Sequence, residues 1–396
     1  MISTERILML ERKVRDATVR LQVDSKAFDP AWVRDYSFDE IRAMPVLICG
    51  SSMFGSIVTA YGKTAGARFF GVVDDYQIGK SIHGLPVLSS LDLLRWCREH
   101  PETICVNASL GVGGWKHFGD LATDFGLRIL DWSAWLRLAG IPIGDRVFDS
   151  WQPYILERLE GYLALGSELV DEHSVYILLK FLLFHITTDR SLLLDLYLPS
   201  EWSYFQGGAF QLHDREVLVD GGANVGQTVA RFNTLTQGRF VRVHSFEPDR
   251  TNVIGLRELV AGMQIPDSAS RIRIHEAALG DCVGTAAFDH RGTEGSRLQR
   301  PNEQSIGTPT TVETIDHAVD DPVTLIKLDV EGFEAAALVG AHETIRRFKP
   351  RLAVCVYHDP KDPIEIVRML KEMDAGYRFS LRLHSASFYD FVLYAC

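Results

Sequence analysis

The feature that most constrains this chain is an alternation of short apolar runs with helical patterns, which occurs twice. One alternating segment extends over residues 45–131 and a second over residues 214–396. Such an alternation predicts βαβ units and mainly parallel sheets, the α/β class. Residues 1–44 are expected to form a helical segment, and residues 132–213 have amphipathic helical patterns. We therefore expect two α/β domains, the first smaller, with a helical N-terminal segment and a helical connector or cap.

The first alternating segment opens with the strand, glycine turn and helix start PVLICGSSMFG. A helix is predicted from about Met53, and the next strand ends at Asp74. This order is typical of a Rossmann-like nucleotide-binding domain. Ser52 stands where the GxGxxG fingerprint has its second glycine, and its Cβ would occupy the place of a pyrophosphate. The pattern therefore disfavours a dinucleotide and leaves a smaller nucleotide, or a scaffold without ligand, open.

The second alternating segment opens with EVLVDGGANVG, a strand followed by a turn into a helix. One acid and three glycines border this turn: Asp220, Gly221, Gly222 and Gly226. Glycines there let the backbone approach a ligand closely. Asn224 replaces the glycine that would lie against the pyrophosphate of NAD, while Glu247, at the end of the next strand, could accept hydrogen bonds from two ribose hydroxyls. The ribose contact would serve S-adenosylmethionine (SAM) and NAD equally.

Two further patterns distinguish this segment. KLDVEGFE places Asp329, Glu331 and Glu334 at or just beyond the end of the fourth strand, where ligands bind in open α/β sheets. Near the C-terminus, the strand-like runs YRFSLRLH and SFYDFVLYA are separated by only a few residues, which permits a hairpin and excludes a parallel crossover. The sequence therefore predicts five parallel strands followed by an antiparallel hairpin.

The motifs VDGGANVGQT, FEPD, EAALGD, TIDHAV, LIKLDVEGFEAAALVGA and YDFVLYA resemble the FkbM-type methyltransferase family in order and spacing, from about residue 197 to 396. The resemblance implies a class I methyltransferase sheet that binds SAM. It implies cofactor contacts from Asp220, Gly221, Gly222, Asn224, Gly226, Glu247, Pro248, Ala278 and Asp329. Of these, the turn residues would surround the methionine end of SAM. Glu247 would bind the ribose, and Ala278 would border the adenine. The family usually has an acid followed by histidine after the fifth strand, whereas this chain has Tyr357 before His358.

Methyl transfer to a hydroxyl requires aligned reactants and a group that accepts the hydroxyl proton. His358 follows the fifth strand and has an unperturbed pKa near neutrality, which makes it the first candidate for the base. Asp329 and Glu331 are competing candidates, and His358 could instead only cap the strand. The three side chains could also hold a divalent ion, although no paired-ligand spacing requires a metal.

The acceptor is the least constrained part of the prediction. The motifs CGSSMFG, GVVDD and IHGLPVLSS resemble the N-terminal domain of PglD-type sugar acyltransferases, which implies a nucleotide-sugar ligand. We therefore expect a SAM-dependent O-methyltransferase of carbohydrate biosynthesis, acting on a sugar, nucleotide-sugar or glycan. Polyketides and other secondary metabolites are alternative acceptors. A non-catalytic nucleotide-sugar binding or assembly protein is an alternative of another class, and an NAD-dependent oxidoreductase is disfavoured.

Composition and charge restrict the partners and the compartment. The formal net charge of −11 disfavours a large nucleic-acid interface, which requires a basic face. The six cysteines include no CxxC pair, and the N-terminal residues do not resemble a signal peptide. The most apolar stretch, residues 175–186, is too short to span a bilayer, which takes about 20 residues. These observations predict a cytoplasmic protein without a membrane span, and a homo-oligomer is an open possibility.

Overall fold

The computed structural model of this chain describes residues 2–142, 149–196, 198–199, 203–206, 211–263, 265, 268–289, 297–298, 307–373, 376–385 and 388–396. The chain divides into two compact units. The N-terminal unit consists of residues 8–157 and 179–196, and the C-terminal unit of residues 1–7, 158–178 and 197–396.

The N-terminal unit contains a six-stranded sheet in the order β3-β4-β2-β1-β5-β6. Its strands are β1 (Pro45–Cys49), β2 (Arg68–Val73), β3 (Ser81–Ile82), β4 (Leu85–Leu88), β5 (Ile104–Asn107) and β6 (Arg128–Asp131). All neighbouring strands are parallel except β3 and β4. The helices of the first 142 residues are α1 (Thr4–Val23), α2 (Phe38–Ala43), α3 (Met53–Thr64), α4 (Ser90–Glu99), α5 (Val112–Phe125) and α6 (Trp132–Leu138). The predicted Rossmann-like sheet is confirmed.

Helix α3 begins where the sequence predicts, and the reason is a local hydrogen bond. The Ser52 side chain accepts the Phe54 backbone N–H at 3.2 Å, so Ser52 is the N-cap of the helix. Gly50 has φ +101°, and a Cβ at this position would lie 2.7 Å from Oγ of Ser109. The serine that replaces the fingerprint glycine thus has a structural role in starting the helix.

Helices replace the strand–helix alternation in the middle of the chain. They are α7 (Trp151–Gly166) and α8 (Glu172–Thr187), followed by a short 3-10 helix (Arg190–Leu193). Helix α8 contains the most apolar stretch of the sequence, and its central residues are buried. Over the part of the chain that the structure describes, none of the helices combines the length and apolarity that crossing a membrane requires.

The C-terminal unit contains a seven-stranded sheet in the order β16-β17-β15-β14-β7-β8-β9. Its strands are β7 (Val217–Gly221), β8 (Arg242–Phe246), β9 (Ile272–His275), β14 (Leu325–Leu328), β15 (Arg351–Cys355), β16 (Phe379–Leu383) and β17 (Phe391–Ala395). The five strands from β9 to β15 are parallel, while β17 is antiparallel to both β15 and β16. The predicted class I sheet with a terminal antiparallel hairpin is confirmed.

Helices alternate with these strands along the chain, in the order expected for βα units. They are α9 (Gln227–Thr236), α10 (Arg250–Gly262), α11 (Ser268–Arg271), α12 (Ile315–Ala318), α13 (Glu334–Val339), α14 (His342–Phe348) and α15 (Asp362–Glu372). The sequence predicts starts near 227, 250, 334 and 363, within one residue of those observed. Gly226 is the N-cap of α9, and the Asp249 side chain accepts two backbone N–H groups at the start of α10.

A small second sheet in this unit differs from the sequence-based expectation. It has the order β10-β13-β11-β12, with β10 (Ala278–Leu279), β11 (Gly284–Asp289), β12 (Arg297–Leu298) and β13 (Thr308–Glu313). The run RIRIHEAA is not one strand, since β9 ends at His275 and Ala278 belongs to the small sheet. Strand β13 has the polar sequence TPTTVE, in which Val312 alone is buried, so hydrophobic periodicity does not reveal it.

A buried ion pair holds the amino ends of three strands in the large sheet. Glu216 precedes β7 and its side chain is fully buried. Nη2 of Arg351, the first residue of β15, donates to both carboxylate oxygens at 2.6 Å, and the His213 backbone N–H donates at 2.7 Å. The hydroxyl of Thr324, just before β14, also donates to this carboxylate. The charge of Glu216 is thus fully paired, and its partners come from separate strands.

We expect Arg351→Met to lower the free energy of unfolding by about 3–5 kcal/mol, because it leaves the Glu216 carboxylate buried without its cation. The matched control is Arg368→Met, which removes a 2.8 Å pair with Glu372 whose side chains are both 63% exposed. This control should change stability by no more than about 0.5 kcal/mol. Urea unfolding followed by circular dichroism measures both, and equal losses in the two variants would contradict the prediction.

Candidate active site

Four parallel strands of the C-terminal unit, β8, β7, β14 and β15, end at one edge of the sheet. Each carries a predicted site residue there: Glu247 follows β8, Asp220 lies in β7, Asp329 follows β14 and His358 comes shortly after β15. The carboxyl edge of such a sheet is the usual ligand-binding edge of the fold. Strand order thus brings together side chains that are widely separated in sequence.

The glycine turn after β7 is packed against the end of β14. Gly222 has φ +73°, and a Cβ there would lie 1.8 Å from the backbone oxygen of Asp329, so only glycine fits. The N–H groups of Gly222 and Ala223 both donate to the carbonyl of Phe246 at 3.0 Å. Gly226, with φ +98°, would place a Cβ 2.5 Å from Leu259. The backbone of the turn is therefore fixed from both neighbouring strands.

Glu247 holds the same turn through its side chain. Its Oε2 accepts the Asn224 backbone N–H at 2.8 Å, and its Oε1 accepts from the Asp249 N–H at 2.9 Å and from Asn252 Nδ2 at 3.3 Å. Burial of the carboxyl raises the pKa of Glu247 despite these donors. Oε2 keeps a free lone pair for a further donor such as a hydroxyl. Asn224, with φ +49°, belongs to the turn that this carboxylate shapes.

A buried lysine lies beneath the turn. Nζ of Lys327, in the middle of β14, is 3.1 Å from Oδ1 of Asp220 and donates to the carbonyl oxygens of Gly221 and Gly222 at 2.9 and 2.8 Å. Burial lowers the pKa of Lys327, but the carboxylates of Asp220 and Asp329 outweigh it and raise the pKa overall. Apart from this pair with Lys327, the carboxylate oxygens of Asp220 have no hydrogen-bond partner within the described residues. Asp220 thus keeps acceptor capacity for a cationic ligand group.

Sequence reasoning missed Lys327, although a lysine at the centre of the apolar strand LIKL is a signal in itself. Charged side chains are rarely buried unless they are paired, and this one is only 1% exposed. A lysine at this point of a parallel strand therefore predicts a carboxylate on a neighbouring strand. Asp220 is its register partner in β7.

The second part of the site is a cluster of two carboxylates and an imidazole, formed by Asp329, Glu331 and His358. Nε2 of His358 lies 3.6 Å from Oδ1 of Asp329 and 3.4 Å from Oε2 of Glu331. On the other side of the ring, Nδ1 lies 2.9 Å from Oε1 of the fully buried Glu334, which also accepts the Val330 N–H at 2.8 Å. The sequence-predicted catalytic residues therefore meet, and Glu334, which the sequence places just beyond the same strand without a catalytic role, is an additional member of the cluster.

The ionisation of this cluster differs from that of a free histidine base. Burial lowers the pKa of His358, but the carboxylates of Glu334 and Glu331 outweigh it and raise the pKa well above 6.5. Burial raises the pKa of Glu331, whereas Lys327 and His358 overcome burial and lower the pKa of Asp329. The ligand-free cluster therefore favours the charged form of the ring. The proton-accepting groups of the cluster are then its carboxylates.

Two tyrosines orient the carboxylate of Asp329. The hydroxyl of Tyr204 donates to Oδ2 at 2.9 Å, and the hydroxyl of Tyr357 donates to Oδ1 at 3.3 Å. Tyr204 is itself fixed by its backbone N–H, which donates to the hydroxyl of Tyr394 in β17 at 3.0 Å. Tyr204 precedes the whole sheet in sequence, and no motif spacing could have placed it here.

The remaining predicted cofactor residues are apolar. Pro248 is partly buried between Glu247 and Asp249, and Ala278 is buried in β10. The next residue, Leu279, borders the glycine turn, since a Cβ at Gly221 would lie 2.9 Å from its Cδ1. The small sheet thus contributes an apolar wall beside the turn.

Comparison with known proteins connects this arrangement to one family. Residues 220–379 match the family model described as the methyltransferase FkbM domain. A crystal structure of methyltransferase FkbM from Methylobacillus flagellatus KT is similar with a TM-score of 0.83 and 26% identity, covering 98% of this chain and 100% of that chain. No curated protein sequence matches the chain.

Two shorter solved structures match at lower scores. An rRNA methylase from Streptococcus thermophilus has a TM-score of 0.31 and 13% identity, covering 53% of this chain and 94% of that one. A putative methyltransferase from Streptococcus mutans in complex with SAH has a TM-score of 0.29 and 13% identity, covering 53% of this chain and 96% of that one. The resemblance of the N-terminal segment to PglD-type acyltransferases stays a prediction.

The imidazole of His358 should titrate well above pH 6.5 because Glu334 and Glu331 stabilise its charged form. In Glu334→Gln, which keeps the shape and loses the charge, the pKa of His358 should fall by about 1 unit or more. Histidine-selective NMR titration measures both values. Glu313→Gln, which alters the His317–Glu313 pair on α12 and β13, should leave the His358 signal unchanged. A wild-type pKa at or below 6.5 would refute this account of the cluster.

Proposed function

We propose that this chain, whose residues 220–379 form an FkbM methyltransferase domain, is a SAM-dependent O-methyltransferase that acts on a hydroxyl. The observation that carries the proposal is the contact between two parts of the site. The glycine turn of Asp220 and Gly222, suited to the cofactor, packs directly on Asp329 of the carboxylate–histidine cluster. Donor and acceptor groups held in these two parts would be adjacent, as direct group transfer requires.

The residues of the turn fit the chemistry of SAM. The buried carboxylate of Asp220, which is paired with Lys327 and has no other hydrogen bond within the described residues, suits the ammonium of the methionine end. Oε2 of Glu247, with its free lone pair, suits a ribose hydroxyl. Gly221, Gly222 and Gly226 allow close backbone approach, Asn224 lies within the turn, and Pro248 and Ala278 offer apolar surface for the adenine. Bound SAM supplies a methyl group activated on a sulfonium sulfur.

The cluster fits the acceptor side of the reaction. As the acceptor oxygen bonds to the methyl carbon and the carbon–sulfur bond breaks, the hydroxyl proton must pass to a base. Glu331 is the carboxylate best matched to this task, because its raised pKa brings it closer to neutrality than Asp329. Asp329, held by Tyr204 and Tyr357, orients the reactants, and the His358 ring keeps the two carboxylates in place.

We further propose a sugar, nucleotide-sugar or glycan as the acceptor. The support is the N-terminal unit, whose parallel sheet has a glycine turn at the carboxyl end of β1, the place where nucleotides bind in such sheets. Polyketides and other secondary metabolites are the alternative acceptors. A cytoplasmic location and a homo-oligomeric state stay predictions from the sequence.

Calorimetry with SAM tests the cofactor site. Gly222→Ala should abolish measurable binding, because its Cβ would lie 1.8 Å from the Asp329 oxygen and displace the turn. Glu247→Gln should weaken binding about 10-fold or more through the loss of a charged acceptor. Gly262→Ala is the matched control, since a Cβ there meets nothing within 4 Å. Absence of binding to the wild-type chain would end the proposal.

Turnover tests the reaction itself. Incubation with isotopically labelled SAM and panels of nucleotide-sugars, glycans and polyketides should give a methylated product detectable by mass spectrometry. Glu331→Gln should lower kcat by about 100-fold or more with little change in SAM affinity, as expected for loss of a general base. Glu313→Gln is the control for removal of a carboxylate outside the site. Nucleotide-sugar binding without methylation of any compound would favour the non-catalytic binding protein instead.

A further inference from the structure

We propose that Asp329, Glu331 and His358 bind a divalent metal ion through Oδ1, Oε2 and Nε2, respectively. Each of the three side chains offers one ligand atom, and these atoms all lie within 4.8 Å of one another. Ion binding by the cluster is a separate property from methyl transfer, whereas the role given to the ion below rests on the proposed function.

The two distances from the imidazole nitrogen to the carboxylate oxygens fit a single ion. Two ligand atoms bonded to one ion at about 2.0–2.2 Å, at angles between octahedral and tetrahedral, are about 2.8–3.6 Å apart. The Nε2 atom of His358 lies 3.4 Å from Oε2 of Glu331 and 3.6 Å from Oδ1 of Asp329. The side chains of Glu331 and Asp329 are 27% and 23% exposed, so both carboxylates can adjust and an ion can enter from solvent.

His358 supplies the independent sign of a ligand. The residue is only 3% exposed, and within the described residues neither ring nitrogen makes a well-aligned hydrogen bond, although Nε2 faces two carboxylates and Nδ1 a third. Glu334 lies behind the ring, with Oε1 2.9 Å from Nδ1, a position that favours a proton on Nδ1 and leaves the Nε2 lone pair facing the cluster. Metal-ligating histidines commonly have such a carboxylate behind them, which fixes the tautomer and the ring orientation.

The negative charges of the two carboxylates also favour a cation at this point. A neutral Nε2 lone pair directed at two carboxylate oxygens would place three electron-rich atoms together in a mostly buried site. Either a proton on Nε2 or a metal ion removes this conflict, and the two alternatives give different experimental results. Two carboxylate oxygens and one imidazole nitrogen are a donor set that suits Mn²⁺, Mg²⁺ or Zn²⁺.

Three protein ligands would leave positions on the ion open for other molecules, as in catalytic metal sites. An acceptor hydroxyl bound there would lose its proton more readily, since a divalent ion lowers the pKa of a bound hydroxyl. Glu331 can ligate through Oε2 and accept the proton through Oε1. The ion would thus favour acceptors that present a hydroxyl together with a second oxygen able to bind the same ion.

The direct test is Mn²⁺ binding to the full chain after treatment with a chelator and its removal. Electron paramagnetic resonance of free Mn²⁺ and calorimetry should both give one ion per chain. Glu331→Gln and His358→Gln should each weaken binding by about 10-fold or more, and Glu334→Gln, which alters the carboxylate behind the ring, by about 10–100-fold. Glu313→Gln, which alters another glutamate–histidine pair, should leave the affinity unchanged.

The possible results of this experiment distinguish a failure of the metal-site proposal from a failure of the methyltransferase proposal. Failure of the wild-type chain to bind Mn²⁺, Mg²⁺ and Zn²⁺ would overturn the proposal and identify His358 as a protonated bridge between the carboxylates. Binding that survives in every cluster variant, with thermal melting confirming that the variants are folded, would overturn it equally. SAM affinity of the metal-free chain is measured in parallel, so that loss of the methyltransferase assignment cannot be mistaken for loss of the metal site.

Discussion

The ammonium group of Lys327 is the interaction on which the functional edge of the C-terminal unit depends. It is buried at the centre of the sheet, where an unpaired charge would be costly, and it is paired with Asp220 and two carbonyl oxygens of the glycine turn. The same charge stabilises the ionised form of Asp329. One cation therefore holds the backbone of the glycine turn and also lowers the pKa of Asp329 in the neighbouring cluster.

The two parts of the site are joined through backbone as well as through charge. Gly222 approaches the carbonyl of Asp329 so closely that no side chain fits between them, and Glu247 secures the turn from the other strand. Asp220, Glu247 and Asp329 therefore lie at a strand end or on the residue that follows it. Sites built on rigid elements hold their geometry better than sites built on loops, and methyl transfer depends on accurate alignment.

Much of the fold could be predicted because it follows from local signals. The starts of α3, α9 and α10 are marked by glycine turns or acidic caps, and the short separation of the last two strands determines that they form a hairpin. The small sheet could not be predicted in the same way, because β13 is polar and buries only one side chain. A strand of this kind is defined by its partners and not by its own sequence.

The site was predictable only in part for a similar reason. The motif residues Asp220, Glu247, Asp329 and His358 were found because strand ends converge in this fold. Tyr204 acts through a contact with Asp329 that no spacing reveals. Glu334 lies in the KLDVEGFE motif, but its position behind the His358 ring follows only from the fold. The neighbouring carboxylates raise the pKa of His358, so residue type alone suggested a neutral base at a position that favours the charged ring.

The position of β17 has a consequence for the biosynthesis of this protein. This strand follows β16 in the chain, yet it lies between β16 and β15, and it provides all the pairing that β16 has in the large sheet. During translation, β16 must therefore wait beside an open sheet edge until β17 has emerged from the ribosome. Until that moment β15 exposes unpaired backbone groups that could pair with another chain. A chain whose synthesis stops before β17 would keep this edge open and would be prone to aggregation.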